Sequence, residues 1–576
     1  MVKQAAIFGF SLNLNSKEIV LRQESGKEGA VLMGEPQTSP CGRFAFAGKT
    51  PDSIGCMTAF CRALSRDETI IGKLKGDFAF AVVDRRNQEI VAVRSLFSQT
   101  PIYFFQQKNR CSVAFSTLRL EAALGLHASV SEEGLAYYSG REFESFLSLE
   151  KTASKPTFWK NVRQLLAGSL LRISNGRARE KVWWSPSLEP LDSTAKDVFQ
   201  RVERSFFESV QENLGDGTGV GVHLSGGLDS SAVAAASARF STAPLPAFGL
   251  VLPPAYAERF PPGDRYWMET MAQQQGLEML YVHPGERFLM SRFDHDSLAE
   301  ALEHPLGYPK LYAHSAIFDA AKARGVNVLL TGVGGEAGLS HSLVTFFLWC
   351  LVSGRWAQLF RHWRQHSEVS QRTSFNMVRR FLMAPIKHCR GVEKGTAPPL
   401  KSEFLQRFSK PRGYASQHIF TPKRTILEWA HHYRIGSGRH FSMEMRHPLL
   451  NKELIEACLA LEPRAFWHHG YPRAPIREIT RGLLPEQVRT RLTKGVFSAD
   501  FAFRFKENQD ALLELVAEAG SLARQYYDLP RIRDEILELC SLRSLHEQHQ
   551  GERMKAQVLR PLAAIRFLGW FERRFA

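Results

Sequence analysis

Residues 219–231 read Gly219-Val-Gly-Val-His-Leu-Ser225-Gly226-Gly227-Leu228-Asp229-Ser230-Ser231, an apolar run that breaks at two adjacent glycines and resumes as an Ala-rich segment to Phe240. The run reads as a strand, the glycines as a tight turn, and Ser230 to Phe240 as a helix. Downstream the same alternation repeats: a strand over 245–251, a helix over 266–275, a strand over 278–282, a helix over 316–324 and a strand over 326–330. Upstream, Val198, Val202, Phe206, Val210 and Leu214 recur at helical spacing. This alternation predicts an α/β domain with a mostly parallel sheet covered by helices. From 343 to 576 the chain reads mainly helical and carries much of the basic charge.

Ahead of this region the period changes. Residues 78–84 and 89–94 are apolar runs split by the turn-like Arg85-Arg-Asn-Gln88, which predicts a hairpin. Short β-rich runs follow at 102–105 and 112–115, and 168–173 reads as the last strand before a Pro-rich joint at 184–190. The expected organisation is two domains, 1–190 and 191–576.

Composition narrows the class. A chain of 576 residues that is 44% hydrophobic and 23% charged is not wholesale disordered. No stretch reaches the ~18 apolar residues of a membrane span, and Leu343 to Val352 is too short. The opening MVKQAAIFGFSLNLNSK has no signal-peptide pattern. The eight cysteines form no CxxC pair, so neither a zinc site nor a disulfide framework is expected and the reading is cytoplasmic. A net charge of +16 favours anionic partners such as ATP, acidic peptide, nucleic acid or a membrane surface, with solubility alone as the plainer reading.

The turn after the first strand carries the sharpest chemistry. Paired glycines let backbone N–H groups point inward, and the following helix N-terminus adds positive dipole. Leu224, Ser225, Gly226, Gly227, Asp229, Ser230 and Ser231 therefore form a candidate phosphate cradle. Asp229 would repel a bare phosphate, so it points to Mg²⁺ bridging carboxylate and phosphates. No Lys follows the glycines, which excludes the GxxxxGK[ST] loop. A second Gly-rich turn, Thr331-Gly332-Val333-Gly334-Gly335-Glu336, stands at a strand's carboxyl end, the edge where open α/β sheets bind ligands. Asp229 and Glu336 are the expected metal ligands, with Gly332, Gly334 and Gly335 at the nucleotide. The plainer readings are a Ser/Gly capping turn and a surface Glu.

The first loop resembles the SGGxDS loop of the ATP-pyrophosphatases, which cleave ATP between its α and β phosphates. A β-rich front domain, then SGGLDSS, then a TGxGG-acid loop resembles the asparagine synthetase superfamily. Residues 73–84, 91–95, 101–104 and 114–117 are similar to its glutamine-amidotransferase domain, and 444–450 and 491–494 continue the likeness. The resemblance implies an α+β, Ntn-type amidotransferase-like domain of antiparallel sheets, followed by an α/β ATP-pyrophosphatase domain with a parallel sheet and a helical C-terminal extension. It also implies ATP and Mg²⁺, nucleotide contacts from Gly249 and Leu250, and a catalytic cation at Lys494.

Two departures choose among branches. Glutamine-using members expose a cysteine nucleophile at position 2, where this chain has Val2, so the front domain is expected to be a scaffold. At the second loop Val333 replaces an acid of the asparagine synthetases and stands where β-lactam-forming relatives carry a catalytic Tyr, and valine is neither acid nor base. The Gly-x-Gly-Gly-acid spelling, with Gly470-Tyr-Pro-Arg-Ala-Pro-Ile-Arg477, resembles the lasso-peptide macrolactam synthetases. That resemblance implies adenylation of an Asp or Glu side chain in a linear core peptide, then ring closure by its N-terminal amine. The implied partners are that precursor peptide, a leader-binding protein and a leader peptidase, with no nucleic acid and no stable membrane insertion.

Other residues have two readings each. Glu444 is the candidate for orienting the amine or positioning a base, or else it pairs structurally with Arg446. Arg473 and Arg477 bind phosphate or peptide carboxylate, or make ordinary pairs. The basic, aromatic stretch 346–380 either packs as amphipathic helices or docks a partner, RNA or membrane. The rival functions are a β-lactam-type or amino-acid amide synthetase, a tRNA-modifying ATP-pyrophosphatase, and a dead scaffold.

Overall fold

A computed structural model of the chain describes residues 7–13, 18–24, 37–38, 44–49, 57–98, 100–107, 110–117, 129–139, 153–175, 177–185, 195–252, 264–285, 295–305, 311–383, 398–407, 426, 442–493, 500–542, 551 and 553–575. In the front part, β1 (Ile7–Asn13), β2 (Glu18–Glu24), β3 (Gln37–Thr38), β4 (Phe44–Lys49), β5 (Ala79–Asp84) and β6 (Glu89–Arg94) come first. Then follow β7 (Tyr103–Gln107), β8 (Arg110–Ala114), β9 (Ser154–Pro156), β10 (Val162–Leu165), β11 (Ser169–Ser174) and β12 (Arg177–Val182). They form two antiparallel sheets, ordered β2-β1-β8-β7-β10-β9 and β12-β11-β6-β5-β4-β3.

Strand alternation explains how these sheets layer. Ala81, Val83, Ile90 and Ala92 of one sheet share a core with Phe104 and Val113 of the other. The opposite residues Phe80, Val82, Val91 and Val93 face the helix Met57–Leu64 through Cys61 and Leu64. On the far side Tyr103, Phe105 and Ala114 pack onto the C-terminal helices, where Phe158 meets Phe567 and Trp159 meets Phe571 edge-on. The helical extension thus closes the outer face of the front part.

The second sheet system is parallel and five-stranded: β13 (Val220–His223), β14 (Pro246–Leu250), β15 (Glu278–Val282), β16 (Val328–Leu330) and β17 (Glu444–Arg446), in the order β15-β14-β13-β16-β17. The helices Ala195–Leu214, Leu228–Phe240 and Arg265–Gln275 cover one face, with Phe206, Val210, Val222, Ala232 and Met268 in a single core. The helix Leu311–Ala323 covers the other through Ile317 and Phe318 against Phe248 and Leu329.

One expectation is corrected and one refined. The last front strand is β12, not the 168–173 run, and its sequence RAREKV shows no apolar alternation because it lies exposed at a sheet edge. The region after 343 is mainly helical, as expected, with short strands added: Glu444–Arg446 is the fifth parallel strand, and a hairpin of β18 (Trp467–His468) and β19 (Tyr471–Pro472) follows. Among the described residues no helix is long and apolar enough to cross a membrane.

Candidate active site

β13 is flanked by β14 on one side and β16 on the other, and the chain leaves it in one direction before returning on the opposite side. The loops leaving β13 and β16 therefore meet at the carboxyl edge and border the crevice that is the general ligand position of a doubly wound sheet. The helix after β13 begins at Leu228, two residues earlier than the sequence period suggests, so Asp229 and Ser230 lie in its first turn. Gly227 caps it with no side-chain hydrogen bond, leaving the first-turn N–H groups without a side-chain acceptor.

Glycine lets the two loops touch. A Cβ on Gly332 would lie 2.6 Å from Asp229 C and Ser230 Cα, with Ser230 N closer still; one on Gly335 would lie 2.8 Å from Asp229 Cγ and Oδ1. Gly226, at φ +68°, turns the first loop beneath Trp267 and Asp264. Ser230 Oγ accepts from Ser225 N at 3.1 Å, donates to Gly227 O at 3.1 Å and lies 2.9 Å from Ser225 Oγ. Ser231 Oγ is fully buried with no hydrogen-bond partner. An orphaned hydroxyl, a glycine cradle and a helix N-terminus together suit a phosphate chain.

Basic residues surround the cradle. Arg473 Nη2 donates to Asp229 Oδ1 at 2.6 Å, and its Nε donates to Ser340 O at 3.2 Å and to Ser340 Oγ. These bonds hold Arg473 at φ +62°, a left-handed conformation that costs a non-glycine residue of order 1–3 kcal/mol. Arg491 donates to Gly226 O at 2.9 Å and Asp264 Oδ1 at 2.7 Å while lying over the Trp267 ring. Arg477 is buried and donates to Pro472 O, Arg489 O and Arg491 O. Burial, aided by the neighbouring Arg473 and Arg489 charges, pushes its guanidinium down to about 10. Arg473 and Arg491 are each paired with an aspartate, while buried Arg477 is bonded only to backbone carbonyls, so the cluster keeps one positive charge in excess beside the loops.

The second loop is braced from below. Thr331 Oγ1 lies 2.7 Å from His447 Nδ1 and accepts from Val333 N at 3.3 Å. Burial drives His447 down to about 4, against a smaller opposing pull from Asp77 of the front part. Val333 packs into an apolar cluster with Ala337, Leu450 and Ile455, joined by Phe97 and Trp184 from the front part. Trp184 Nε1 donates to Glu456 Oε1 at 2.8 Å, fixing this seam.

The structure sorts the expected site residues as follows. Leu224, Ser225, Gly226, Gly227, Asp229, Ser230, Ser231, Gly332, Gly334 and Gly335 lie on the two touching loops. Glu336 directly follows the glycine packed on Asp229 and is exposed. Among the described residues no three His, Cys, Asp or Glu side chains gather around one point, so Asp229 and Glu336 would hold Mg²⁺ only with substrate oxygens completing its shell. Gly249 is the penultimate residue of β14, next to the first loop, where a Cβ would lie 3.1 Å from Leu224 O; Leu250 packs into two apolar cores. Glu444 is not brought to the crevice. It pairs with Val328 at the amino end of β17, across the sheet from the loops, and is bonded to Arg446 at 3.0 Å. The expectation that it handles the amine is therefore corrected to a structural ion pair. Lys494 and Val2 lie outside the described residues. Arg491 and His447 both lie in stretches singled out above, and the fold adds their partners, Gly226 and Asp264 for the first and Thr331 for the second.

Residues 201–572 match the asparagine synthase family. The chain belongs to the asparagine synthase family. Residues 59–184 of this family member match the glutamine amidotransferase domain. It is 26% identical over 284 residues to the amidase chry2 of Gibberella zeae and 25% identical over 284 residues to the amidase chyE of Penicillium rubens, covering 46% of this chain in both cases. It is 28% identical over 174 residues to asparagine synthetase [glutamine-hydrolyzing] 3 of Bacillus subtilis, covering 30% of this chain and 27% of that protein. The asparagine synthase family member spans 40% of the length of the two amidases.

Proposed function

We propose that the protein is an ATP-dependent ligase that forms AMP and pyrophosphate and closes a macrolactam ring in a ribosomal peptide, in the manner of the lasso-peptide macrolactam synthetases. Family membership and the two apposed loops support the ATP half of this reading. The observation that carries the ring-closing half is the second loop, Gly332-Val-Gly-Gly-Glu336, with Val333 turned into an apolar cluster where acid–base members of the family need a polar group. A peptide that folds into place before reaction asks the enzyme for orientation rather than an extra base.

In this reading the triphosphate lies on the N-terminus of the helix Leu228–Phe240, with Ser225, Ser230 and Ser231 as hydroxyl donors. Asp229 and Glu336 would hold Mg²⁺, which supplies positive charge against the leaving pyrophosphate. Arg473 fixes the Asp229 carboxylate, and Arg491 fixes the Gly226 carbonyl so that the loop cannot sag into the crevice. A side-chain carboxylate oxygen of the peptide bonds to the α-phosphorus as the bond to pyrophosphate breaks. The N-terminal amine then bonds to the acyl carbon, AMP leaves, and the amine loses a proton.

The test incubates the purified chain with Mg·ATP, the linear core peptide, its leader-binding protein and its leader peptidase. The expected product is a peptide lighter by one water, with one AMP and one pyrophosphate per ring. AMP formation without dehydration would remove the macrolactam reading while leaving the ligase reading standing.

A further inference from the structure

Among the described residues nine large apolar side chains are exposed, and seven of them fall between 344 and 383. That concentration is not explained by the core of this region. Phe346, Phe347, Leu359, Met377 and Phe381 face inward around Trp467. On the outer side Trp356 and Phe360 stand one turn apart on the helix Trp356–Ser370, with Phe360 68% exposed. Phe375 and Val378 likewise share a face of the next helix, Ser374–Val378, and Phe375 is 73% exposed. Val352 and Met383 flank them, also exposed. A helix whose only task is to cover a core has a polar outer face.

Charge says what meets this face. The same stretch holds six arginines, no lysine and no aspartate, and its one acid, Glu368, is already paired with Arg364 at 2.9 Å. Arg355, Arg361, Arg379 and Arg380 are exposed beside the apolar residues. Aromatic and aliphatic side chains standing proud among arginines match the boundary of an anionic bilayer, where rings enter the acyl region and guanidiniums pair with phosphates. Protruding single side chains fit acyl chains, which part around them, better than they fit a folded protein partner.

The structure assigns residues 352–383 as a peripheral docking face for an anionic membrane surface. This inference is independent of the ring-closing reaction proposed above. It places the crevice beside the bilayer, because the docking helix also seats the hairpin that leads to Arg473. His366 Nδ1 lies 2.7 Å from Gly470 O, and a Cβ on Gly470 would lie 2.6 Å from Gln365 C.

The test is co-sedimentation of the full chain with vesicles of equal phosphatidylglycerol and phosphatidylcholine, and with vesicles of phosphatidylcholine alone. Binding is expected to the mixed vesicles, at least about tenfold weaker to the neutral ones, and to weaken as salt rises. F360S and F375S should each lower partition by about tenfold, the effect of withholding one buried ring from the acyl region. R379Q/R380Q should lower it and flatten the salt dependence. Unchanged thermal denaturation of these surface variants separates lost docking from lost folding. The assignment is overturned if the wild-type chain stays in the supernatant with mixed vesicles. It is equally overturned if the variants bind like wild type, or if the face retains single-stranded RNA but not vesicles.

Discussion

Gly332→Ala tests whether the two loops form one site. Its added methyl group would lie 2.6 Å from Asp229 C and Ser230 Cα and closer still to Ser230 N, against the 3.4 Å at which ordinary contact begins, so at least about 0.8 Å must be found. Every near atom is backbone of the first turn of the helix Leu228–Phe240, which cannot rotate away as a side chain would. The loops must part, at a stability cost of about 1–3 kcal/mol. The larger effect is on chemistry. Displacement approaching 1 Å in a positioned site costs roughly 10²-fold in rate, or about 2.7 kcal/mol of barrier. Gly72 supplies a matched control, because a Cβ there meets nothing within 4 Å. ATP–pyrophosphate exchange in the presence of the peptide, with thermal denaturation alongside, reads both terms. G332A with exchange within twofold of G72A would refute the apposition of the loops as the basis of the site.

Three further outcomes follow from the same geometry. R473M leaves a carboxylate that is 18% exposed without its partner, which should cost about 1–3 kcal/mol, between the exposed and fully buried limits. Mg²⁺ alone should then raise the thermal midpoint of R473M more than that of wild type, and an equal rise would argue against Asp229 as a ligand. Asp229→Ala should abolish ATP–pyrophosphate exchange while leaving the fold intact, and normal exchange would sink the metal assignment. Buried His223 and His447 are both pushed down to about 4 from 6.5. The unfolded chain therefore takes up their protons first, so stability is intact above about pH 6.5 and falls toward pH 4, by up to about 3 kcal/mol for each residue. Denaturant titrations at about pH 7 and about pH 5 should show the loss, with a smaller difference in H447N. Equal stability at both values would contradict the burial argument.

What the sequence made legible was what packs on one face or recurs. The runs at 219–224 and 245–251 were readable because their central residues are buried between helices, 278–282 by its apolar residues although it lies half-buried at the sheet edge, and both Gly-rich turns announce themselves by composition. β12 was hidden because an exposed edge strand needs no apolar alternation. β17 was hidden by brevity: three residues hold too little of any period, although Met443 and Met445 are buried around exposed Glu444. Glu444 was misread for the same reason, since only its register opposite Val328 shows that it lies at the wrong end of the sheet. The helix Leu311–Ala323 starts ahead of its expected boundary because Leu311, Tyr312, Ala313, His314 and Ser315 are all buried, leaving no polar face to mark a turn. The Arg473–Asp229 bond joins residues 244 positions apart and rests on a left-handed arginine, for which no local pattern exists.

The central claim is that this chain activates a peptide carboxylate as its adenylate and then closes an amide. A core peptide carrying heavy oxygen in its Asp or Glu side-chain carboxylate tests this directly, with AMP and peptide analysed by mass spectrometry after reaction. Adenylation transfers one labelled oxygen to AMP and leaves one in the new amide carbonyl. AMP that carries no label, or a ring that retains both labelled oxygens, would contradict it.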